Sequence, residues 1–299
     1  VIRVPQPYTN GQIVVVPLGD IQWAGQDSST AMTPLKKAVN DAMEMGAWFI
    51  GMGDYGDFLS PSNRQRLYAA GLYDTAGKVI DEAAHNLNRE LYQEVLAPTK
   101  GRFLGLLQGH HFHVYKTGKT TDMEMCEWLE APFLGTCAVK RLVVERKATD
   151  YSAAITSFQI WAHHGAGGGE TVGAMLNKLE KMANHWEDID CFLVGHANKL
   201  GGAPIERMNM QWDTNTGPRL THRKIALACT GSFSRGYKQG SKVGDIPQGD
   251  FVEQKMLRPT AIGSVIARFK WRIEKTATNG TTKSGNRRQA IHKDVTIEA

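Results

Sequence analysis

Five apolar runs in this 299-residue chain each end on a side chain able to hold a metal ion. "VVVPLGD" ends at Asp20 and "WFIGMGD" at Asp54. "FLGLLQGHH" ends at His110 and His111, "FQIWAHH" at His163 and His164, and "CFLVGH" at His196. Six of the ten histidines (110, 111, 113, 163, 164 and 196) lie at these endings. In open α/β sheets, ligands and catalytic groups gather at the carboxyl ends of strands. Two aspartates with several imidazoles form a mixed oxygen and nitrogen set, suited to divalent Mn, Fe, Zn or Ni. Each piece alone is weak, since a Gly-Asp pair is more often a turn and a lone buried histidine more often core. Their recurrence at every apolar strand end points to a metal site.

The elements that must position these residues follow from periodicity. "QIVVVPLGD" (12–20), "AWFIGMGD" (47–54), "RFLGLLQG" (102–109) and "DIDCFLVGH" (188–196) predict buried strands. "TPLKKAVNDAMEMG" (33–46), residues 74–97 before Pro98, "TDMEMCEWLE" (121–130) and "ETVGAMLNKLEKMANHW" (170–186) predict helices. "CAVKRLVVE", "AAITSFQIWAHH", "APIERMNMQW", "RKIALACTGSF" and "AIGSVIARFKWRIEK" read as further strands. Strand–helix alternation first and strands later predict an α/β domain with an antiparallel second half. No repeat or interdomain linker divides the chain, so a single domain over 1–299 is expected. The site motifs fall in 20–198 and a basic, mostly β part in 199–299.

The order "GDIQ", "GDYGD", "GHHF", "AHHG", "GHAN" resembles the calcineurin-like metallophosphoesterases, over about two-thirds of the chain. Their motifs run D-x-H, GDxxD, GNH[D/E], a lone His after a strand, and GHxH. The resemblance implies a four-layer α/β/β/α sandwich of two mixed β-sheets flanked by helices. It implies two divalent metal ions (Mn, Fe, Zn or Mg) sharing the bridging aspartate Asp54. The first ion would be held by Asp20, Gln22, Asp54 and Asn198, the second by Asp54, His110, His163 and His196. His163 is matched to the lone histidine ahead of His164, Asp57 to the second aspartate of GDxxD, and His111 to the catalytic histidine. Gln22 and Asn198 stand where the family has histidine, and His110 where it has asparagine. One site so shifts toward hard oxygen ligands and the other becomes nitrogen-rich, which predicts one tight and one weak ion.

The activity so implied is metal-dependent hydrolysis of phosphate esters, with diesters favoured, by a metal-activated hydroxide attacking in line. His111 would protonate the leaving oxygen or hold a phosphate oxygen. The alternative is an inactive binding or scaffold protein that keeps the fold, which the Gln22 and Asn198 replacements favour. The retention of Asp20, Asp54 and His111 together favours the hydrolase.

Charge is uneven. From Arg219 onward sixteen Lys/Arg face six Asp/Glu, a surplus of ten, so the net +5 leaves the first 218 residues at −5. The basic part suits an anionic partner or a solvated face about equally. Nucleic acid is therefore an open candidate partner, and "SFSRGYKQGSK" (232–242) a candidate backbone grip, with a solvated loop slightly ahead. "GAGGGE" (165–170) lacks the ending of a P-loop and reads as a phosphate cradle or a plain turn. His113 is expected to be a bystander. No secretory leader or membrane span is read, and the four scattered cysteines form no CxxC pair, so a reducing cytoplasm is expected.

Overall fold

The computed structural model describes residues 2–6, 10–26, 29–71, 74–146, 154–167, 171–213, 217–243, 246–247, 249, 251–254, 256–259, 261–275 and 289–299. The polar stretch 276–288, read as a turn or connection, lies outside them, as do residues 168–170 of the "GAGGGE" turn and parts of the loop 234–258. The strands are β1 (Ile2–Gln6), β2 (Gly11–Gly19), β3 (Trp48–Gly53), β4 (Phe103–Leu106), β5 (Cys137–Arg146), β6 (Ala154–His163) and β7 (Cys191–Val194). They continue as β8 (Leu200–Asp213), β9 (Gly217–Ser232), β10 (Lys242–Val243), β11 (Ile246–Pro247), β12 (Gly263–Ser264), β13 (Ile266–Lys275) and β14 (Gln289–Glu298). The α-helices are α1 (Met32–Glu44), α2 (Pro61–Ala70), α3 (Asp74–Leu91), α4 (Thr121–Trp128), α5 (Val172–Ala183) and the short α6 (Phe251–Gln254).

One sheet runs β14-β13-β2-β3-β4 and the other β1-β5-β6-β7-β9-β12, with β8 added antiparallel to β9. Both are mixed: β2, β3 and β4 are parallel, as are β6, β7 and β9, while β13 and β14 pair antiparallel. Side-chain alternation builds the layers. In β2, Ile13 and Val15 face the other sheet, while Val14, Val16 and Leu18 face helices. In β7, Cys191 and Leu193 point inward and Phe192 and Val194 outward. Phe158 of β6 meets Phe269 of β13 across the gap in a T-shaped contact, centroids 5.3 Å apart, worth about 0.5–1.5 kcal/mol beyond its buried area. Leu35, Val39 and Ala42 of α1, with Met125 and Cys126 of α4, cover the outer face of the first sheet. Met175, Leu179 and Ala183 of α5 cover that of the second. The result is the expected α/β/β/α sandwich, an architecture compatible with metallophosphoesterases.

Three local departures have physical causes. The helix expected over 74–97 ends as an α-helix at Leu91, passes through a π turn (Tyr92–Leu96), and closes as a 3-10 turn (Ala97–Thr99). The ladder loosens ahead of Pro98, which has no N–H to donate. The segment between β3 and α3, for which no helix is predicted, contains α2, whose start is set by Ser60 accepting from the Asn63 N–H (3.3 Å) and by Pro61 in the first turn. β1 pairs parallel with β5, which the Pro-broken segment did not suggest.

Candidate metal centre

The carboxyl ends of β2, β3, β4, β6 and β7 converge, and the chain turns sharply there. Of eight non-glycine residues with positive φ among the described residues, five are Asp20 (48°), Gln22 (51°), Asp54 (52°), His196 (64°) and Asn198 (51°). Left-handed backbone in non-glycine residues carries strain and clusters at functional sites. Here it re-aims side chains off the strand ends. The Asp20–Gln22 turn is tied down by the Ser232 hydroxyl and Phe233 N–H donating to Asp20 O (both 3.0 Å). The Thr30 hydroxyl donates to the carbonyls of Ile21 (2.9 Å) and Gln22 (3.0 Å).

Asp54, His110, His164 and His196 offer one ligand atom each, all within 4.8 Å of one another. Asp54 is 2% exposed, and its Oδ1 accepts the backbone N–H groups of His110 (2.5 Å) and His111 (2.9 Å), leaving Oδ2 for a ligand. The same contact explains Gly109: a Cβ there would lie 2.0 Å from Asp54 Oδ1. Nδ1 of His164 donates to Met52 O (2.6 Å), which fixes the tautomer with Nε2 facing Asp54 Oδ2 at 3.4 Å. Two ligand atoms about 2.1 Å from one tetrahedral ion lie about 3.4 Å apart. Nδ1 of His110 and Nδ1 of His196 are 3.1 Å apart.

Orphaned atoms give an independent test of fit. Among the described residues, the buried oxygens Asp20 Oδ1 and Asn198 Oδ1 lack a hydrogen-bond partner, while His164 Nε2 faces only the Asp54 carboxylate. Unpaired buried groups cost about 1–3 kcal/mol each. A cation beside them removes that cost, so the donor set fits a metal.

Electrostatics agree. Burial, with Asp54 next to it, raises the Asp20 carboxyl well above the carboxylate range. Burial also pushes Asp54 upward, but the hydrogen bond and charge of His164 outweigh it and hold Asp54 ionised. His164 is the reciprocal case: burial lowers it, and pairing with Asp54 lifts it to about 9. Burial and the neighbouring His164 lower His110, and with His110 they bring His196 down to about 4. Those two rings are neutral at pH 7 and free to ligate.

His163, matched to the lone histidine, is not in the cluster. Its ring stacks on Trp161 (5.6 Å), and its Nδ1 accepts from the Gly165 N–H (2.7 Å). Alternation along β6 gives the reason. Phe158, Ile160 and Ala162 face the gap between the sheets, so His164 continues that face and His163 continues the Trp161 face. Asp20 lies beside the cluster, with Oδ2 accepting from the His196 N–H at 2.8 Å. The backbone N–H of Gln22 donates to Asp54 O (3.0 Å). His111 lies at the rim, with Nδ1 donating to Asp57 Oδ1 (2.6 Å). That bond raises its pKa. His113 is buried on Asp81 of α3 (2.7 Å), outside the cluster.

Two residues at the site had no place in the motif reading. Arg64 of α2 donates to the carbonyls of Leu59 (2.5 Å), His110 (2.6 Å) and Phe112 (2.9 Å), its guanidinium 3.8 Å over the Phe112 ring. Asp122, fully buried in the first turn of α4, accepts from the Gly109 N–H at 3.1 Å. Both fix the backbone that carries His110 and His111. Neither lies within a motif, and both act on backbone groups distant in sequence, which gave no signal.

No family model matches the chain, and no curated protein matches it. Two solved structures match the chain over most of its length. One is a conserved uncharacterized protein from Streptococcus pneumoniae TIGR4 described as a predicted phosphoesterase, 11% identical, with a TM-score of 0.31, covering 94% of this chain and 99% of that chain. The other is GAP50, the anchor in the inner membrane complex of Plasmodium, 12% identical, with a TM-score of 0.40, covering 86% of this chain and 81% of that chain. Overlaps this low leave the site to be read from its own geometry. Among the described residues no helix is long and apolar enough to cross a membrane.

Proposed function

We propose that the chain is a metal-dependent phosphoesterase acting on phosphate esters, with diesters preferred. The observation that carries this reading is the cluster of buried Asp54 and His164 with half-buried His110 and His196, beside which Asp20 Oδ1 and Asn198 Oδ1 are buried and unpartnered. Asp54, His110, His164 and His196 would hold a nitrogen-rich ion of the Zn, Fe or Mn type. Asp20, Asp54, Gln22 and Asn198 would hold a second through oxygen, with Mg or Mn as the fitting choice. Divalent ions bound there supply a water of lowered pKa and neutralise charge on phosphoryl oxygens.

The chain's own groups do the rest. His164, fixed by Met52 O, presents Nε2. The N–H groups of His110 and His111 orient the Asp54 carboxylate. Asp57 keeps a proton on His111 Nδ1 and shifts the ring toward the imidazolium, whose opposite nitrogen would donate to a leaving oxygen. A non-catalytic scaffold remains the second reading, favoured by amides at 22 and 198 in place of imidazoles.

Hydrolysis of aryl phosphate mono- and diesters with added Mn²⁺, Zn²⁺ or Mg²⁺ separates the two readings. Metal-dependent turnover abolished by Asp54→Asn and reduced by His111→Ala with metal content intact is expected. Tight metal binding with no turnover on any ester would leave the scaffold. Single- and double-stranded DNA as substrates test the nuclease form of the proposal.

A further inference from the structure

The hairpin β8–β9 extends past the rest of its sheet. β9 pairs with β7 only from Ala226 onward, so the pairs Ile205↔Ile225 to Asp213↔Gly217 form a two-stranded ribbon. At about 3.3 Å per residue it is roughly 30 Å long. It points away from the metal centre, because the other end of β9 is bonded to Asp20. Arg207 on Trp186 O (2.6 Å) and Arg223 on Asp190 (3.0 Å) anchor its base.

The two faces of the ribbon differ. Register puts Met208, Met210 and Trp212 on one face, with His222, Leu220 and Pro218 opposite them and the Glu206–Lys224 pair nearer the base. Met208, Met210, Trp212 and Leu220 are 66%, 60%, 79% and 51% exposed. The other face carries Arg207, Asn209, Thr221 and Arg223. The apolar face continues the inward side of Ala226 and Ala228, beyond the point where the opposing sheet covers it. A ribbon of two strands is marginal in water without a layer on its apolar side, and its free edges invite pairing.

We propose that a second copy of this chain supplies that layer. Two ribbons pack face to face about a twofold axis, Met208, Met210, Trp212 and Leu220 of one against the same residues of the other. At roughly 200 Å² per large side chain, the exposed fractions come to about 500 Å² per copy. A twofold contact therefore buries about 1,000 Å² from these side chains, which meets the lower bound for a specific interface. The outer part of the face, Met210, Trp212 and Leu220, carries no charge, while Glu206, His222 and Lys224 lie toward its base and pair within the chain, so the outer patch can meet its own copy, as an isologous contact requires. The arginine-bearing face is left to solvent, and the metal centres open away from the contact.

Sedimentation of the full chain from about 1 to 100 μM, the range in which a small interface associates, tests this. Twice the 33.0 kDa chain mass is expected. Met210→Asp with Trp212→Ser should weaken association at least about 100-fold without changing the circular dichroism spectrum or ester turnover. Leu220→Glu should act alike, and Asn209→Glu on the opposite face should not. A monomer throughout, a dimer that survives the apolar-face variants, or equal loss with Asn209→Glu would each overturn the proposal. A monomer that sediments with anionic vesicles through the same residues would replace the second copy with a lipid surface.

Discussion

The sharpest test of the metal centre sets His164 against its neighbour. His164→Asn keeps an amide N–H near the position of Nδ1, so the bond to Met52 O can survive while Nε2 is lost. This avoids leaving a buried carbonyl unpaired, which His164→Ala would do at about 1–3 kcal/mol. Losing even an outer contact of a metal ligand costs 10–100-fold in affinity, so removing the ligand itself should cost at least about 100-fold. At saturating metal that corresponds to about 2.7 kcal/mol less metal-induced stabilisation. For a chain of this size the metal-induced rise in Tm should shrink by roughly 5 °C. His163→Ala loses the Trp161 stack and the Gly165 bond, so it should lower the metal-free Tm and leave the metal-induced rise unchanged. The assay is a thermal melt of each variant with and without Zn²⁺ or Mn²⁺, alongside metal content after dialysis. A rise lost in His163→Ala and kept in His164→Asn would refute the geometry.

Metal uptake should also release protons. His164, held near pKa 9 by Asp54, is protonated at pH 7 and must lose that proton to ligate. One proton per chain, plus a fraction from the raised Asp20, should appear in weakly buffered solution on adding metal. Affinity should climb about tenfold per pH unit up to about pH 9. Gly109→Ala forces the new methyl against Asp54 Oδ1 and N and should abolish metal retention and turnover together in assays of both. Arg64→Ala frees the carbonyls of His110 and Phe112 and should lower kcat about 10–100-fold with metal content nearly unchanged. Asp122 is raised by burial to about 7. The folded chain therefore binds more protons than the unfolded one between pH 3.8 and 7. Its contribution is full below 3.8 and lost as pH rises through 7. Asp122→Asn should flatten part of that slope in urea melts of the metal-free protein, with Asp20 supplying the remainder.

The layers and the motif positions were legible because both rest on short-range rules. Alternation in "QIVVVPL" fixes two faces of β2, and an apolar strand that stops at Gly-Asp or Gly-His must leave its sheet there. The choice between His163 and His164 was equally legible, since counting by twos from Phe158 and Ile160 reaches His164. Motif matching by order alone overrode that parity. Arg64 and Asp122 were not legible. Their partners are backbone groups of residues 46 and 13 positions away, and backbone groups leave no mark in a sequence. The two exposed faces of the ribbon were half visible: "ERMNMQW" alternates as a strand, but only the register with β9 shows that its methionines are exposed among the described residues.

Left-handed backbone separates an assembled site from a decayed one. Asp and Asn adopt this region at little cost, but Gln22 and His196 each hold it against about 1–2 kcal/mol. Thr30 and Ser232 supply hydroxyls that hold the Asp20–Gln22 turn in place. In a fold kept only as a scaffold, relaxing the turn would recover that energy and would also hydrate Asp20 Oδ1 and Asn198 Oδ1, which are instead buried and unpaired. The strain falls on both halves, at Gln22 and at His196, while the orphaned oxygens belong to Asp20 and Asn198, on the half where the imidazoles are missing. Under the proposed function, the oxygen-rich half would suit a hard cation that binds weakly by itself, and the half with His110, His164 and His196 one that stays. Dialysis should leave one ion per chain, and added Mg²⁺ or Mn²⁺ should restore turnover without displacing it. Two ions of one element retained equally would contradict that division.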